Sequence, residues 1–219
     1  MTDARSRILQ RVRSALRDVP KSEALAEMAL TRDYRTTSDL PQAELVELFA
    51  RRVAEYKATV RQVAAAELPD AIAAACATRG LRHLAAPADI PREWLPAGLE
   101  ARLDDGLSHA QLDATDGVLT GCALGIAQTG TIVLDGGPRQ GRRVITLLPD
   151  YHLCVVYAGQ VVGLVPEAVA ALASSVDELH RPLTFISGPS ATSDIELNRV
   201  EGVHGPRTLE VLIVLSSEF

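Results

Sequence analysis

Two hydroxyl- and glycine-bearing segments near the C-terminus have the residue types and spacing for chemistry. The first is Ser187-Gly188-Pro189-Ser190-Ala191-Thr192-Ser193-Asp194-Ile195-Glu196. It follows a predicted strand and enters a predicted short helix. Gly188 frees the backbone for close approach to a ligand, Ser190 and Thr192 supply hydroxyls, and a helix N-terminus offers unpaired N–H groups that favour an anion. Together they predict a cradle for a phosphate or carboxylate. A second reading stands beside it. Ser193 and Glu196 have the spacing of a capping box, which would satisfy the same donors internally. Asp194 puts negative charge where the anion would sit, or else orients a ligand hydroxyl or holds the loop. The Gly-Lys-Ser/Thr ending of a Walker loop is missing.

The second segment is Gly202-Val203-His204-Gly205-Pro206-Arg207. His204 is the candidate acid or base near neutral pH, and Arg207 could clamp a carboxylate. The alternative is a rigid turn whose His and Arg bond backbone carbonyls. A third segment, Gln128-Thr129-Gly130-Thr131, either points two hydroxyls and a bare N–H into a cleft or forms a bend in a sheet. Gly121 and Gly125 do not complete a dinucleotide fingerprint, so NAD is not expected. His83, His109, His152, His180 and His204 show no metal spacing, and no nucleophile elbow occurs. No metal and no cofactor is expected.

The elements that must position these segments follow from periodicity. A stripe of Ile8, Val12, Ala15 and Val19 predicts a helix over residues 1–19, and residues 22–31 suggest a short second one. Leu45, Phe49, Val53 and Tyr56 predict a helix over 41–57, with Pro41 in its first turn and Ser38 and Asp39 as capping oxygens. The expected organisation is an N-terminal helical arm, 1–57, and an α/β domain, 58–219. In the second part, residues 59–63 read as a strand, 69–80 as an Ala-rich helix stopped by Gly80, and 81–85 as a strand, a parallel βαβ unit. Residues 87–96 are a loop carrying Trp94. Short strands are expected at 118–120, 131–134, 144–148, 153–157 and 161–162, making a β-rich middle with a hairpin-like turn at Asp135-Gly136-Gly137-Pro138. Pro166 opens a helix with Val169, Leu172 and Val176 on one side. Two more strands are expected at 183–187 and 211–215, the latter apolar enough to be covered on both faces.

Composition narrows the function classes. Of 219 residues 47% are hydrophobic, so a core can be buried, but only 4% are aromatic, so it must be built from Ala, Val, Leu and Ile. A net charge of −6 argues against nucleic acid as a partner. The exception is Arg5, Arg7, Arg11, Arg13 and Arg17 near the N-terminus, which suits a basic amphipathic helix on a membrane or acidic partner; a solvated face packed on the domain or another subunit is the preferred reading. Cys76, Cys122 and Cys154 are too scattered for a disulfide framework or an iron–sulfur pattern. No run of 18 apolar residues and no signal peptide is seen, so a cytoplasmic protein without a membrane span is expected.

Taken in order, Ala127-Gln128-Thr129-Gly130-Thr131-Ile132-Val133-Leu134, Leu148-Pro149 with His152, Ser187-Gly188-Pro189-Ser190 through Asp194-Ile195-Glu196, and Gly202-Val203-His204-Gly205-Pro206 resemble the LutC/YkgG family of lactate-utilisation C proteins, built on the LUD domain. The resemblance spans about residues 40–215 in layout. It implies a layered, Rossmann-like α/β domain of the ribose-5-phosphate isomerase/CoA-transferase (NagB/RpiA/CoA transferase-like) type. It also implies a place in L-lactate oxidation to pyruvate, beside other subunits that carry the iron–sulfur clusters. On that basis Thr129, Gly130, Thr131, Gly188, Ser190, Thr192, Asp194, His204 and Arg207 are expected around one small anionic metabolite or partner contact. Alternatives are a self-sufficient enzyme of CoA-transferase or sugar-phosphate type and a pure assembly module. Two positions depart from the family pattern. Gln128 stands where an acid is common, and Ala191 where an arginine is common, so that Arg142, Arg143 or Arg207 would have to supply the missing positive charge.

Overall fold

A computed structural model describes residues 3–19, 33–193, 199–201 and 204–216, with backbone alone at 191–193 and 199–201. Contacts divide the chain into residues 1–35 and 36–219. In the first unit, helix α1 (Ala4–Ala15) is capped by the Asp3 carboxylate, which accepts from the Arg5 N–H, and none of its side chains is buried. The expected helix at 22–31 lies outside the described residues.

The second unit begins with α2 (Gln42–Glu55), whose Leu45, Val46, Phe49 and Val53 are buried. These four sit at helical spacing and form one apolar face, which must be covered. It packs on core residues such as Cys154, Leu209, Val211 and Ile213, so this helix, expected in the arm, belongs to the body that starts at Thr36. The expected caps do different work. Ser38 Oγ accepts from the Leu40 N–H, Ser38 N–H donates to Glu167, and Pro41 precedes the helix as its N-cap residue.

The chain then runs through β1 (Thr59–Val63), α3 (Leu68–Thr78), β2 (His83–Pro87), β3 (Glu100–Asp104), α4 (His109–Asp113) and β4 (Gly117–Thr120). Next come β5 (Leu124–Ile126), β6 (Thr131–Leu134), β7 (Tyr151–Tyr157), β8 (Val161–Val162), α5 (Val165–Ala171), α6 (Ala173–Asp177) and β9 (Thr184–Ile186). Last are β10 (Ala191–Ser193), β11 (Arg199–Glu201) and β12 (Thr208–Val214).

The main sheet has the order β1-β12-β7-β4-β2-β3, and every pairing in it is parallel. The expected βαβ architecture is therefore present. A second sheet, β8-β5-β6-β9, has antiparallel β5–β6 and β6–β9 pairs and a parallel β5–β8 pair. Alternation along β12 explains the layering. Leu209, Val211 and Ile213 face a core shared with α2 and β6, while Leu212 and Val214 face the core beneath α3. A strand covered on both faces reads as an unbroken apolar run.

Several expectations are corrected. Residues 144–148 are not a strand. Arg143–Thr146 is a short 3-10 turn in which the Thr146 hydroxyl donates to the Arg143 carbonyl, a local bond that competes with strand pairing. The segment expected at 153–157 is β7, in the middle of the parallel sheet rather than in a β meander. The turn at Asp135 does not close a hairpin between β6 and the strand after it, because β6 pairs with β5 and β9. Of the stripe expected after Pro166, Leu172 is buried while Val169 and Val176 are exposed. Among the described residues no helix is long and apolar enough to cross a membrane.

Candidate functional site

Where β9 ends, Ser187-Gly188-Pro189-Ser190 leaves the second sheet. Gly188 has φ +80°, and a Cβ there would overlap the Tyr56 Cβ, so this turn requires glycine. Two bonds join this loop to the one before β12. Ser190 N–H donates to the Pro206 carbonyl (2.8 Å), and His204 N–H donates to Ser190 Oγ (2.9 Å). The Ser187 and His204 segments are therefore neighbours.

Between β9 on one side and β7 and β12 on the other lies a cleft of about 250 Å³. Its polar lining comes from Arg143, Thr146, His152, Ser187, Ser190 and His204, with Gly188 among its walls. No carboxylate lines it among the described residues. The guanidinium of Arg143 donates to Thr146 Oγ1 (2.6 Å), and among the described residues it makes no ion pair. Packing that removes water from this group lowers its pKa from the ordinary arginine value. It remains a cation, and one without a fixed counter-ion among the described residues.

Of the three arginines weighed as replacements for the missing family charge, Arg143 alone is available. Arg142 is held by the Asp104 carboxylate through Nε (2.8 Å) and by the Leu107 carbonyl (2.8 Å). The bond to Arg142, outweighing the desolvation of Asp104, holds the Asp104 carboxyl below the ordinary aspartate range. Arg207 pairs with Asp150 at the surface (2.8 Å) and does not line the cleft.

Other expected site residues fall elsewhere. Thr131 is buried, and its Oγ1 bonds both Thr129 Oγ1 and Ser187 Oγ at 2.8 Å, so it stands behind the Ser187 loop rather than in the cleft. Gly130, with φ +59°, presses on the Arg52–Val53 backbone of α2, which makes Thr-Gly-Thr a bend. The backbone at Thr192 is in β10, paired with β11, and the short helix expected from Ser193 onward falls on residues 194–198, outside the described residues. Asp194 and Glu196 lie outside the described residues. No motif in the sequence singles out Thr146, and His152 enters there only through the family resemblance. His152 reaches the site by alternation on β7, where it sits in register with Val118 and Leu209.

A family profile described as the LUD domain matches residues 42–214. The chain is 52% identical over 182 residues to a protein of Deinococcus radiodurans named lactate utilization protein C, covering 83% of this chain and 84% of that one. A protein of the same name from Halalkalibacterium halodurans is 40% identical over 84 residues, covering 37% of this chain and 36% of that protein. The crystal structure of a DUF162 family protein from Deinococcus radiodurans superposes with a TM-score of 0.70 at 47% identity, covering 80% of this chain and 99% of that chain.

Proposed function

The chain belongs to the LUD domain family, and on that footing we propose that it is a cytoplasmic component of a lactate-utilisation system whose inter-sheet cleft binds a small anionic metabolite. The names of its relatives support the pathway. The single observation that supports the ligand class is Arg143, a cation in a cleft lined by hydroxyls and imidazoles, with no acid to neutralise it among the described residues. An arginine in that position recognises carboxylate or phosphate through its forked donors. The parallel six-stranded sheet with a smaller second sheet supports kinship with the ribose-5-phosphate isomerase and CoA-transferase group, though function does not follow from fold. The electron-transfer step belongs, in this reading, to partner subunits with iron–sulfur clusters.

Thermal-shift and calorimetric titrations of the purified full chain with L-lactate, pyruvate and inorganic phosphate test the site. A bound anion raises the melting temperature by mass action, and Arg143→Gln is expected to remove that shift with a stability change within about 0.5 kcal/mol. A shift that survives Arg143→Gln overturns the assignment. Turnover of lactate by the purified chain alone would overturn the component reading.

A further inference from the structure

Helix α1 precedes residues 42–214, the stretch that the family profile matches. Its 12 residues are near the lower limit for a helix that persists in water, and none of its side chains is buried. What it presents is an apolar stripe. Ile8, Leu9, Val12 and the C-cap residue Leu16 are between 41% and 61% exposed. At about 100° per residue, these four and Ala15 share an arc of about 120°. A helix this short draws its stability from whatever covers such an arc.

The charges around the stripe select its cover. Arg11 stands about 40° outside one margin, beside Ala15, and Arg13 about 40° outside the other, beside Leu9. Arg7 lies beyond Arg11, and Arg5 closes the stripe at its N-terminal end. Gln10 and Ser14, both uncharged, stand opposite the stripe's centre. Between Asp3 and Asp18 there are five arginines and no acid, so both margins carry the same sign. A second α1 laid along the stripe would set arginines against arginines, whereas paired helices place opposite signs at their flanks. A flat anionic surface answers both margins at once. Headgroups lie on either side of a helix resting in the interface, and long arginine side chains reach them while the apolar stripe sinks toward the acyl chains. The whole chain carries −6, so attraction to such a surface comes from this local excess of arginine. No helix among the described residues is long and apolar enough to cross a membrane, which leaves lying on one.

We propose that α1 is a membrane-surface helix that docks this chain on a bilayer bearing anionic lipids, with the stripe inward and Arg7, Arg11 and Arg13 on the headgroups. The inference does not depend on the anion site at Arg143. The two parts of the helix do different work. The stripe gives depth, but a handful of aliphatic side chains partitions weakly without help. The arginines give selectivity, each contributing on the order of fivefold in partitioning near an anionic surface. An anchor of this kind is reversible and is weakened by salt, which screens the headgroup charge.

The test is co-sedimentation of the full chain with vesicles of phosphatidylcholine alone and of phosphatidylcholine mixed with phosphatidylglycerol. The mixed vesicles are expected to bind the chain about tenfold or more tighter. Arg11→Gln/Arg13→Gln is expected to lose that gain. Leu9→Gln/Leu16→Gln should lose binding too, with all five arginines in place. Each variant should keep the wild-type melting temperature, because none of the substituted side chains is buried. Equal binding to the two kinds of vesicle overturns the proposal, since the arginines then play no part. Binding that survives Leu9→Gln/Leu16→Gln overturns it as well, because the stripe is then not seated in the bilayer. Absence of binding to either vesicle overturns it outright. Self-association of the chain that is lost in Leu9→Gln/Leu16→Gln would identify a second copy as the occupant instead.

Discussion

Strands β7 and β12 carry two polar clusters, one on each side of the main sheet. On one side Glu210 is buried between Arg61 (3.0 Å), Arg79 (3.5 Å) and the Tyr151 hydroxyl (3.0 Å), with Arg79 stacked over the Tyr151 ring. Burial, then the nearby Glu210 charge, pushes the tyrosine's pKa up. One residue away, His152 and Leu209 point the other way and line the cleft. In the first cluster every charge is answered from within the chain. In the second, Arg143 donates to the Thr146 hydroxyl but meets no carboxylate among the described residues. A closed cluster holds strands together, and an open one is completed by something that binds. Residue type alone does not separate them, since both contain arginines.

The sharpest way to break this comparison is at the closed cluster. Glu210→Ala leaves two cations and a tyrosine hydroxyl around an empty buried position. We expect a loss of about 3–5 kcal/mol in chemical denaturation, because removing one partner strands the rest. Anion binding on the other face should stay within about twofold of wild type, since the two sites share no partners. A larger change in anion affinity in Glu210→Ala would mean that the two faces are coupled and the contrast is wrong.

A second closed acid sharpens the contrast through pH. Burial raises the pKa of Asp135, but the Ser175 hydroxyl (2.7 Å), the Gly137 N–H (2.9 Å) and the Gln140 amide (2.8 Å) outweigh it, with Arg181 at 3.6 Å, so the net shift is downward. A carboxyl with a lowered folded-state pKa contributes stability that is present above its unfolded value and is lost as pH falls through the folded one. Asp135→Asn is expected to cost about 1–3 kcal/mol at neutral pH. Its melting temperature should fall less than that of wild type as the pH drops through the carboxylate range. Parallel acid limbs for the two proteins would show that Asp135 is not held in this way.

The same contrast explains what could be read from the sequence. Strand β12 was legible because both of its faces are covered, which leaves a plain apolar run, and α2 was legible from its stripe. Strand β3 was not. It lies at the sheet edge, and its Glu-Ala-Arg-Leu-Asp sequence leaves Leu103 exposed while burying Asp104 against Arg142. Residues 143–146 misled because a β-branched run looks like a strand until the Thr146 hydroxyl turns back on Arg143. The loop pair around Ser190 and His204 was legible from its glycines and hydroxyls. The role of Arg143 was not, because it depends on where acids distant in sequence end up. Asp104 takes Arg142, Asp150 takes Arg207, and only folding decides which arginine is left over.

Arg207 gives the smallest and most discriminating comparison. It sits one residue past the His204-Gly205-Pro206 stretch of the cleft wall, yet its guanidinium turns to Asp150, with both side chains more than half exposed. Such a pair gains little in water and is screened by salt, so Arg207→Ala should cost about 0–1 kcal/mol. Because Arg207 already has a counter-ion and stands outside the lining, anion affinity should be unchanged, whereas Arg143→Gln abolishes it. Calorimetry on the two variants side by side decides the matter. If Arg207→Ala weakened anion binding as much as Arg143→Gln, the ligand would be bridging both residues, and an ion pair seen without ligand would be no guide to which arginine is structural.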